Sequence, residues 1–500
     1  MNWKLIAKSL KNSDMRNRIL AVLGMLLVYR VLAQIPIPLS DPETLRQVLQ
    51  NLFTAGDTPQ LLNFINILSG RSLENFSIML VGLGPYINAS IIMQLLTKAI
   101  PKFEALNKEG EFGRKKINQY TRMLTLPLAV IQSIGAIYLV RQQAAQIGGI
   151  PDITANSSPA QWILMVAALT GGAMMLMWLG ELITERGIGN GISLLITVGI
   201  VSTLPGTISS IAGGIYNPSE RFNVFGLGLP FNKQNLIIGL ILLAATIIVT
   251  VLVVRINEAK RIITINYAKR VQGNRTYGGV TTILPVKLIT AGVIPIIFAV
   301  AFLSVPSFLG QLLSTNESAR LQELGANLSL WFQTPTAASF QVPGFTPFIY
   351  PLVYFLLVFA FTFFYTSITF NTHDIAENLQ KQGGFIAGVR SGLQTEKFLG
   401  KMIMRLTLFG ALALGLLALL PIIGQKYLAT DIALGGTSIL ILVSVAIETL
   451  RAIESRALMV TYDQYEQPDF FYEPADAVGA ATGARRLRFL PRRKRTDKKD

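Results

Sequence analysis

The chain has 500 residues, 51% of them hydrophobic and only 14% charged, with a formal charge of +16 and no cysteine. A soluble protein carries roughly a quarter of its residues charged, so an ordinary globular class is excluded. Without cysteine there is no disulfide framework, no thiolate chemistry and no cysteine metal site.

The apolar residues fall into long blocks, each near the ~20 residues that cross a bilayer as a helix. They lie roughly at 19–36, 76–97, 119–140, 160–182, 188–212, 235–254, 287–309, 347–370, 402–423 and 433–450. The expected class is an all-α polytopic membrane protein, because backbone in lipid must satisfy its own hydrogen bonds.

Residues 1–18 place Trp3, Ile6 and Leu10 at helical spacing among lysines, the pattern of a short helix on the cytoplasmic membrane surface. The stretch Ile19 to Tyr29 has the length of a signal core, but Arg30 follows it and no small-x-small cleavage site does. Next, 61–76 is too short to span and is broken by Ser69-Gly70-Arg71. It feeds a span that holds Ser77, Gly82, Gly84, Pro85, Asn88, Ser90 and Gln94, too polar for a lipid-facing helix. One account is backbone that enters the membrane region inside a protein cavity. The other is an outer amphipathic helix resting on the bilayer.

In the fourth block Gly171, Gly172 and Gly180 permit close helix approach. The stretch "TERGIGNGIS" at 184–193 then reverses the chain: its three glycines carry no side-chain penalty, and Glu185 and Arg186 hold the turn in water. Beyond it, Ile192 and Ile196 share one helical face, which taken alone is ordinary core packing. In the seventh block Pro295 predicts a mid-span kink.

Lys and Arg alternate along the chain. They crowd 1–18, 98–122, 255–287, 381–405 and the tail, and are sparse in the segments between. By the positive-inside rule the crowded segments and both termini are cytoplasmic. The polar text from Ser314 to Ser329 faces outward. Two cytoplasmic loops exceed what orientation needs. In 256–286, Ile263, Ile265 and Tyr267 alternate at strand spacing and Gly273-Asn274 supplies a turn, while 371–398 carries a Gly383-Gly384 turn. Such loops can dock on ribosomal RNA or an acidic protein surface, or simply be long solvated loops.

Several segments together resemble the SecY family, the protein-conducting channel of the bacterial Sec translocon. They are "IPIP" at 35–38, "GPYINASIIMQLL" at 84–96, "KEGEFGRKKINQYTR" at 108–122, "GELITERGIGNGIS" at 180–193 and "AGVIPIIFA" at 291–299. The series continues with "FTFFYTSITFN" at 361–371, "NLQKQGGFIAGVRSG" at 378–392, "RLTLFGALALGLLALLP" at 405–421 and "LGGTSILILV" at 434–443. They occur in the family's order over nearly the whole chain.

The resemblance implies ten transmembrane helices in two pseudo-symmetric, inverted five-helix halves, a clamshell around a central pore. The halves would be 19–215 and 216–465, followed by a basic cytoplasmic tail at 466–500. No internal sequence repeat reveals this architecture. The resemblance further implies a plug at 61–75, including Asn66, Ile67, Leu68, Ser69, Gly70 and Arg71. A pore ring maps onto Leu83, Ile87, Ile192, Ile196, Ile297 and Ile441, and a narrow apolar ring seals by excluding water. The lateral gate maps onto Asn88, Gln94 and Thr290, and partner docking onto Arg261, Lys269, Arg270 and Arg390. Implied partners are the SecE and SecG subunits, the SecA motor, the ribosome, signal-bearing polypeptides and membrane lipid. The implied location is the bacterial cytoplasmic membrane, and no cofactor is implied.

The chain departs from the family pattern at two places. Ile289 and Thr290 stand where members often show Asn-Met, which implies a weaker or rewired polar gate cluster. Ala387, Val389 and Ser391 replace the usual Pro, Ile and Pro around the retained Arg390, which implies a more flexible loop.

Two other functions fit less well. An ion-coupled transporter needs ionisable groups at mid-span, but Glu181, Glu185 and Glu448 fall at span ends and Arg30 can snorkel. An intramembrane enzyme has only His373 to work with, in a cytoplasmic loop, and the chain lacks both HExxH and GxxxxGK[ST].

Overall fold

The computed structural model describes residues 12–37, 72, 76–146, 158–215, 222–224, 227–229, 232–267, 270–272, 275–277, 279, 281–314, 318–333, 335, 339–341, 344–428 and 436–466. The expected surface helix around Trp3, the plug residues Asn66 to Arg71, Lys269 and the tail beyond Glu466 lie outside them.

The first part of the chain forms α1 (Ser13–Leu32), α2 (Gly84–Ala99), α3 (Pro101–Lys108), α4 (Glu111–Gln146), α5 (Pro159–Glu185) and α6 (Gly191–Ile215). A short hairpin, β1 (Phe222–Val224) with β2 (Leu227–Leu229), precedes α7 (Lys233–Glu258). Then come β3 (Lys260–Tyr267), β4 (Arg270–Gln272), β5 (Arg275–Tyr277), β6 (Thr281–Lys287), α8 (Ile294–Ser314) and α9 (Ala319–Phe332). The chain continues through α10 (Thr346–Thr369), α11 (Thr372–Lys381), β7 (Gly384–Ile386), α12 (Leu393–Leu428) and α13 (Gly436–Glu466).

Local chemistry sets these boundaries. Asn12 caps α1 by accepting from the Asp14 N–H at 3.0 Å. Ser158 and Gln161 close a reciprocal capping box on α5, with Pro159 in the first turn. Every apolar block meets a helix. Among the described residues, four stretches are long and apolar enough to cross a membrane: Pro159–Glu185, Asn235–Glu258, Thr346–Lys381 and Leu393–Gly424. In Asn235–Glu258 only 6% of the most apolar window is buried, and Leu240, Leu243 and Ile248 stand open on the surface. So large an unburied apolar face marks a surface made for lipid or a membrane partner.

The structure corrects two expectations and adds two features. The second block is not helical throughout: 76–83 are mostly buried turns, and the helix begins only at Gly84. Gly82 takes φ +62° and Pro85 sits in the first turn, so the backbone cannot become helical sooner. The turns are held from the first helix's exit, where the Ile37 N–H bonds Phe76 O and the Ile78 N–H bonds Ile35 O, both at 3.0 Å. Second, Pro295 does not kink a span. It is the second residue of α8, and the break lies before it at Gly292, with φ +60°. The polar stretch from Ser314 to Ser329 overlaps a helix, α9, packed tightly on α8, with Gly310 and Gly325 at the close approach. Finally, α4, α12 and α13 run well past their apolar blocks.

The helices pair in a repeated order. In the first half α2 packs on α4, α4 on α5, α5 on α6 and α1 on α5. In the second half α8 packs on α10, α10 on α12, α12 on α13 and α7 on α12. Helices α1–α6 meet the later helices along two seams, α8 against α2 and α4, and α6 against α7 and α13.

The two long loops form one unit. Strand β3 pairs antiparallel with both β6 and β7, so the order is β6-β3-β7. Ile263, Val286 and Ile386 point under the sheet onto Leu399, Met402 and Ile403 of α12. The predicted alternation is therefore the buried face of a real strand. Pairing of Gln272 with Arg275 brackets the predicted Gly273-Asn274 turn, whose residues lie outside the described set.

Candidate functional site

The turn between α5 and α6 positions the first part of the site. Thr184 Oγ1 donates to Gly180 O at 2.8 Å and accepts from the Gly191 N–H at 2.9 Å. Asn190 Oδ1 caps α6 through the Ile192 N–H at 3.1 Å. Arg18 reaches over from α1 to donate to Arg186 O at 3.2 Å. A methyl group on Gly191 would collide with the Gly180 carbonyl and stand 2.8 Å from Ile183 Cβ. Backbone touches backbone here, and α6 can start at once only because the residue is glycine.

That placement delivers Ile192 and Ile196 to the largest apolar cluster of the molecule. Leu83, Ile87, Ile196 and Ile297 are buried within it, and Ile192 and Ile441 pack against it half-buried. The six predicted ring residues thus share one cluster, drawn from α2 and the turn before it, α6, α8 and α13. These helices take part in both seams between α1–α6 and the later helices. Buried Ser193 and Ser444 flank ring residues on α6 and α13.

Among the described residues no hydrogen bond joins the predicted gate residues to one another. Asn88 is half-buried on α2. Gln94 donates from Nε2 to Ser90 Oγ of its own helix at 3.1 Å, and its buried Oε1 has no partner among the described residues. Thr290 instead donates to Thr366 Oγ1 on α10 at 3.2 Å. Sequence reasoning missed Thr366, although its spacing from Thr362 on one helical face was the available signal. It also missed Gly135 on α4, where any Cβ would collide with the Phe308 ring of α8. Between α8 and α10 the seam is aromatic, with Phe298 6.0 Å from Phe361 and 6.5 Å from Tyr365 in edge-to-face contact.

On the sheet, Arg261 is exposed on β3, and Arg270 lies on β4 opposite Tyr277. Arg390 is exposed after β7, and its carbonyl accepts from Thr395 Oγ1 at 2.9 Å. The loop around it is anchored without prolines: the Val389 N–H bonds Ile386 O at 3.0 Å, and Val389 packs on the cluster under the sheet. At the start of α11, His373 Nδ1 lies 3.0 Å from Glu396 Oε2 of α12. That carboxylate holds the imidazole pKa above its ordinary value, chiefly through the hydrogen bond and then through its charge. Glu181 of α5 is paired with Arg122 of α4 at 2.7 Å. Among the described residues no cluster of His, Cys, Asp and Glu is arranged to hold a metal.

Comparison with known proteins follows the same lines. The family model for SecY matches residues 77–450. The protein translocase subunit SecY of Corynebacterium glutamicum is 38% identical over 464 residues, 92% of this chain and 98% of that one. A solved SecY translocation channel described for its plug domain is similar in fold, with TM-score 0.55 and 20% identity over 87% of this chain and 90% of that one. The Sec61 channel of a canine ribosome-channel complex is also similar, with TM-score 0.51 and 18% identity over 86% and 90%.

Proposed function

This chain belongs to the SecY family, and we propose that it is the central channel subunit of a Sec protein translocase. It is a channel rather than an enzyme: unfolded secretory polypeptides cross through it, and apolar segments leave sideways into lipid. The observation that carries the reading is the shared cluster of Leu83, Ile87, Ile192, Ile196, Ile297 and Ile441, built from both halves of the chain. An apolar constriction at the meeting of two halves excludes water at rest and closes around a passing chain.

The finer architecture is part of the proposal. The repeated pairing order supports two five-helix halves opening as a clamshell, with α6 and its neighbours as the hinge side. The opposite seam, α2 and α4 against α8, is the lateral gate. Residues 61–75 are the plug. Both termini and the β6-β3-β7 sheet face the cytoplasm, and the membrane is the bacterial inner membrane. The chain carries no phosphate-binding loop, so energy comes from a partner. Arg261, Lys269, Arg270 and Arg390 dock that partner, the SecA motor or a ribosome, while SecE and SecG cover membrane surface. An ion-coupled transporter is disfavoured, since Arg122 neutralises Glu181.

The test is a photocrosslink from position 192 to a secretory precursor stalled in mid-passage. Crosslinking that disappears when the signal sequence is deleted supports the pore. Its absence from an assembled, exporting channel returns Ile192 to ordinary packing.

A further inference from the structure

The outer face of the β6-β3-β7 sheet is neither buried nor ordinary. Side chains alternate across a strand, so with Ile263 and Ile265 beneath the sheet, Lys260, Ile262, Thr264 and Asn266 project outward. Their directly opposed partners are Lys287, Pro285, Ile283 and, on β7, Phe385. Ile262 is 55% exposed, Ile283 57% and Phe385 42%, which makes one apolar face on a small sheet. Beside it Lys260 and Lys287 stand directly opposite each other, a like-charge pair that disfavours the bare sheet, and neither makes a salt bridge among the described residues. Arg451 and Glu448 of α13 also act on Lys287, and Glu258 pairs with Arg451, so the face offers apolar contact beside a mixed cluster in which cations outnumber carboxylates.

The chain carries a matching segment. From Ala457 to Ala484 there is no Lys or Arg, but Asp463, Glu466, Asp469, Glu473 and Asp476 are interleaved with Tyr462, Tyr465, Phe470, Phe471 and Tyr472. Its origin is next to the sheet. On α13 Arg451 Nη2 lies 3.4 Å from Glu258 Oε1, two residues before β3 begins. From there α13 runs on to Glu466, about 22 Å of helix, close to the ~23 Å length of β3 itself. Residues 467–476, outside the described set, add up to ~34 Å of extended reach, enough to return to the sheet.

We propose that the acidic, aromatic stretch 467–476 covers the outer face of this sheet when the channel is idle. Its carboxylates meet Lys260 and Lys287, and its aromatic rings cover Ile262, Ile283 and Phe385. This rests on the reading of the sheet as a partner platform, since an occupied face must be vacated before a partner binds. The segment is then an internal competitor, which keeps the apolar face from non-productive contacts.

The absence of native cysteine gives a clean test. Ile283→Cys and Phe471→Cys are combined in the full chain, assembled in its own membrane vesicles, and oxidised without any soluble partner. A disulfide between them is expected, and it should be lost when Asp469→Asn, Glu473→Gln and Asp476→Asn are added. No disulfide, with both thiols reactive to maleimide, overturns the docking, as does a disulfide indifferent to the three neutralised carboxylates. Added bacterial ribosomes should suppress the disulfide. If it forms but ribosomes leave it unchanged, the docking stands and the reading of this face as the partner platform fails.

Discussion

Thr290 donates its hydroxyl hydrogen to Thr366 Oγ1 at 3.2 Å, while Thr366 donates its own to Thr362 O at 2.8 Å. The short chain of hydroxyls ties the segment leading into α8 to the far end of α10. Ile289 beside Thr290 is buried, so apolar packing and neutral hydroxyls close this region. A neutral hydrogen bond of this kind contributes about 1 kcal/mol net, roughly a fivefold shift in a two-state equilibrium. Thr290→Val keeps the shape and removes the donor. Both threonines lie on the same side of the seam between α2, α4 and α8. The loss should therefore lower the stability of the purified channel by about 1 kcal/mol, read as a lower unfolding midpoint, and leave export of precursors with weakened signal sequences unchanged. Export that rises with an unchanged midpoint would mean that the bond biases the gate instead.

Two glycines of α5 and α6 should respond oppositely to the same substitution. Gly191→Ala drives a methyl group into the Gly180 carbonyl, and overpacking of this kind costs about 1–3 kcal/mol. At Gly171 a methyl group would meet no atom within 4 Å, and the residue lies inside α5, so Gly171→Ala should stabilise by up to about 1 kcal/mol through helix propensity. Thermal unfolding of the purified channel in detergent should show a lower midpoint for the first and an equal or higher one for the second. The reverse order would refute the close approach.

The helices are legible because lipid leaves the backbone little choice: a long apolar block must be a helix. Hydropathy misleads where it cannot see the backbone. Residues 76–83 are apolar enough for a span, yet Gly82 in the left-handed region postpones the helix to Gly84. Helix α9 reads as an outer loop because Gln322, Glu323 and Asn327 interrupt its apolar residues, so no long apolar block marks it, although it packs on both α8 and α10. Strand β3 is visible in the alternation of Ile263, Ile265 and Tyr267, but β7 is three residues long and its partner lies more than a hundred residues away. Nothing local in Gly384 to Ile386 announces that pairing. The ring comes from family resemblance, since Ile192 and Ile196 alone are two isoleucines one turn apart.

The ring residues differ in burial, and this separates sealing from packing. Ile196 is 1% exposed, whereas Ile192 is half-buried against the same cluster. Ile196→Ser exchanges apolar contact for an unpaired hydroxyl and costs about 2–4 kcal/mol. Ile192→Ser should cost less stability but still wet the constriction. Both variants should leak ions through the resting channel in planar bilayers, and Ile192→Ser should do so with a near-normal unfolding midpoint. If neither conducts, these side chains are not at a constriction.

His373 is the chain's only histidine, so its titration can be followed without overlap. The Glu396 carboxylate, at 3.0 Å, favours the imidazolium and raises its pKa above the ordinary 6.5. A raised pKa in the folded state means that the tie between α11 and α12 is fully present below the unfolded value. It is lost as pH climbs through the folded value, because the neutral ring gives up its charge-assisted bond. Both partners reach solvent, so the tie acts on the loop that carries Arg390 rather than on global stability. Imidazole NMR of the labelled channel should show a midpoint above 6.5, returning to about the ordinary value in Glu396→Gln. Amide exchange across 371–398 should quicken as pH passes that midpoint, beyond its ordinary base-catalysed rise, and the excess should vanish in the variant. An unshifted midpoint in the native chain would show that the His373–Glu396 contact does not persist in the membrane.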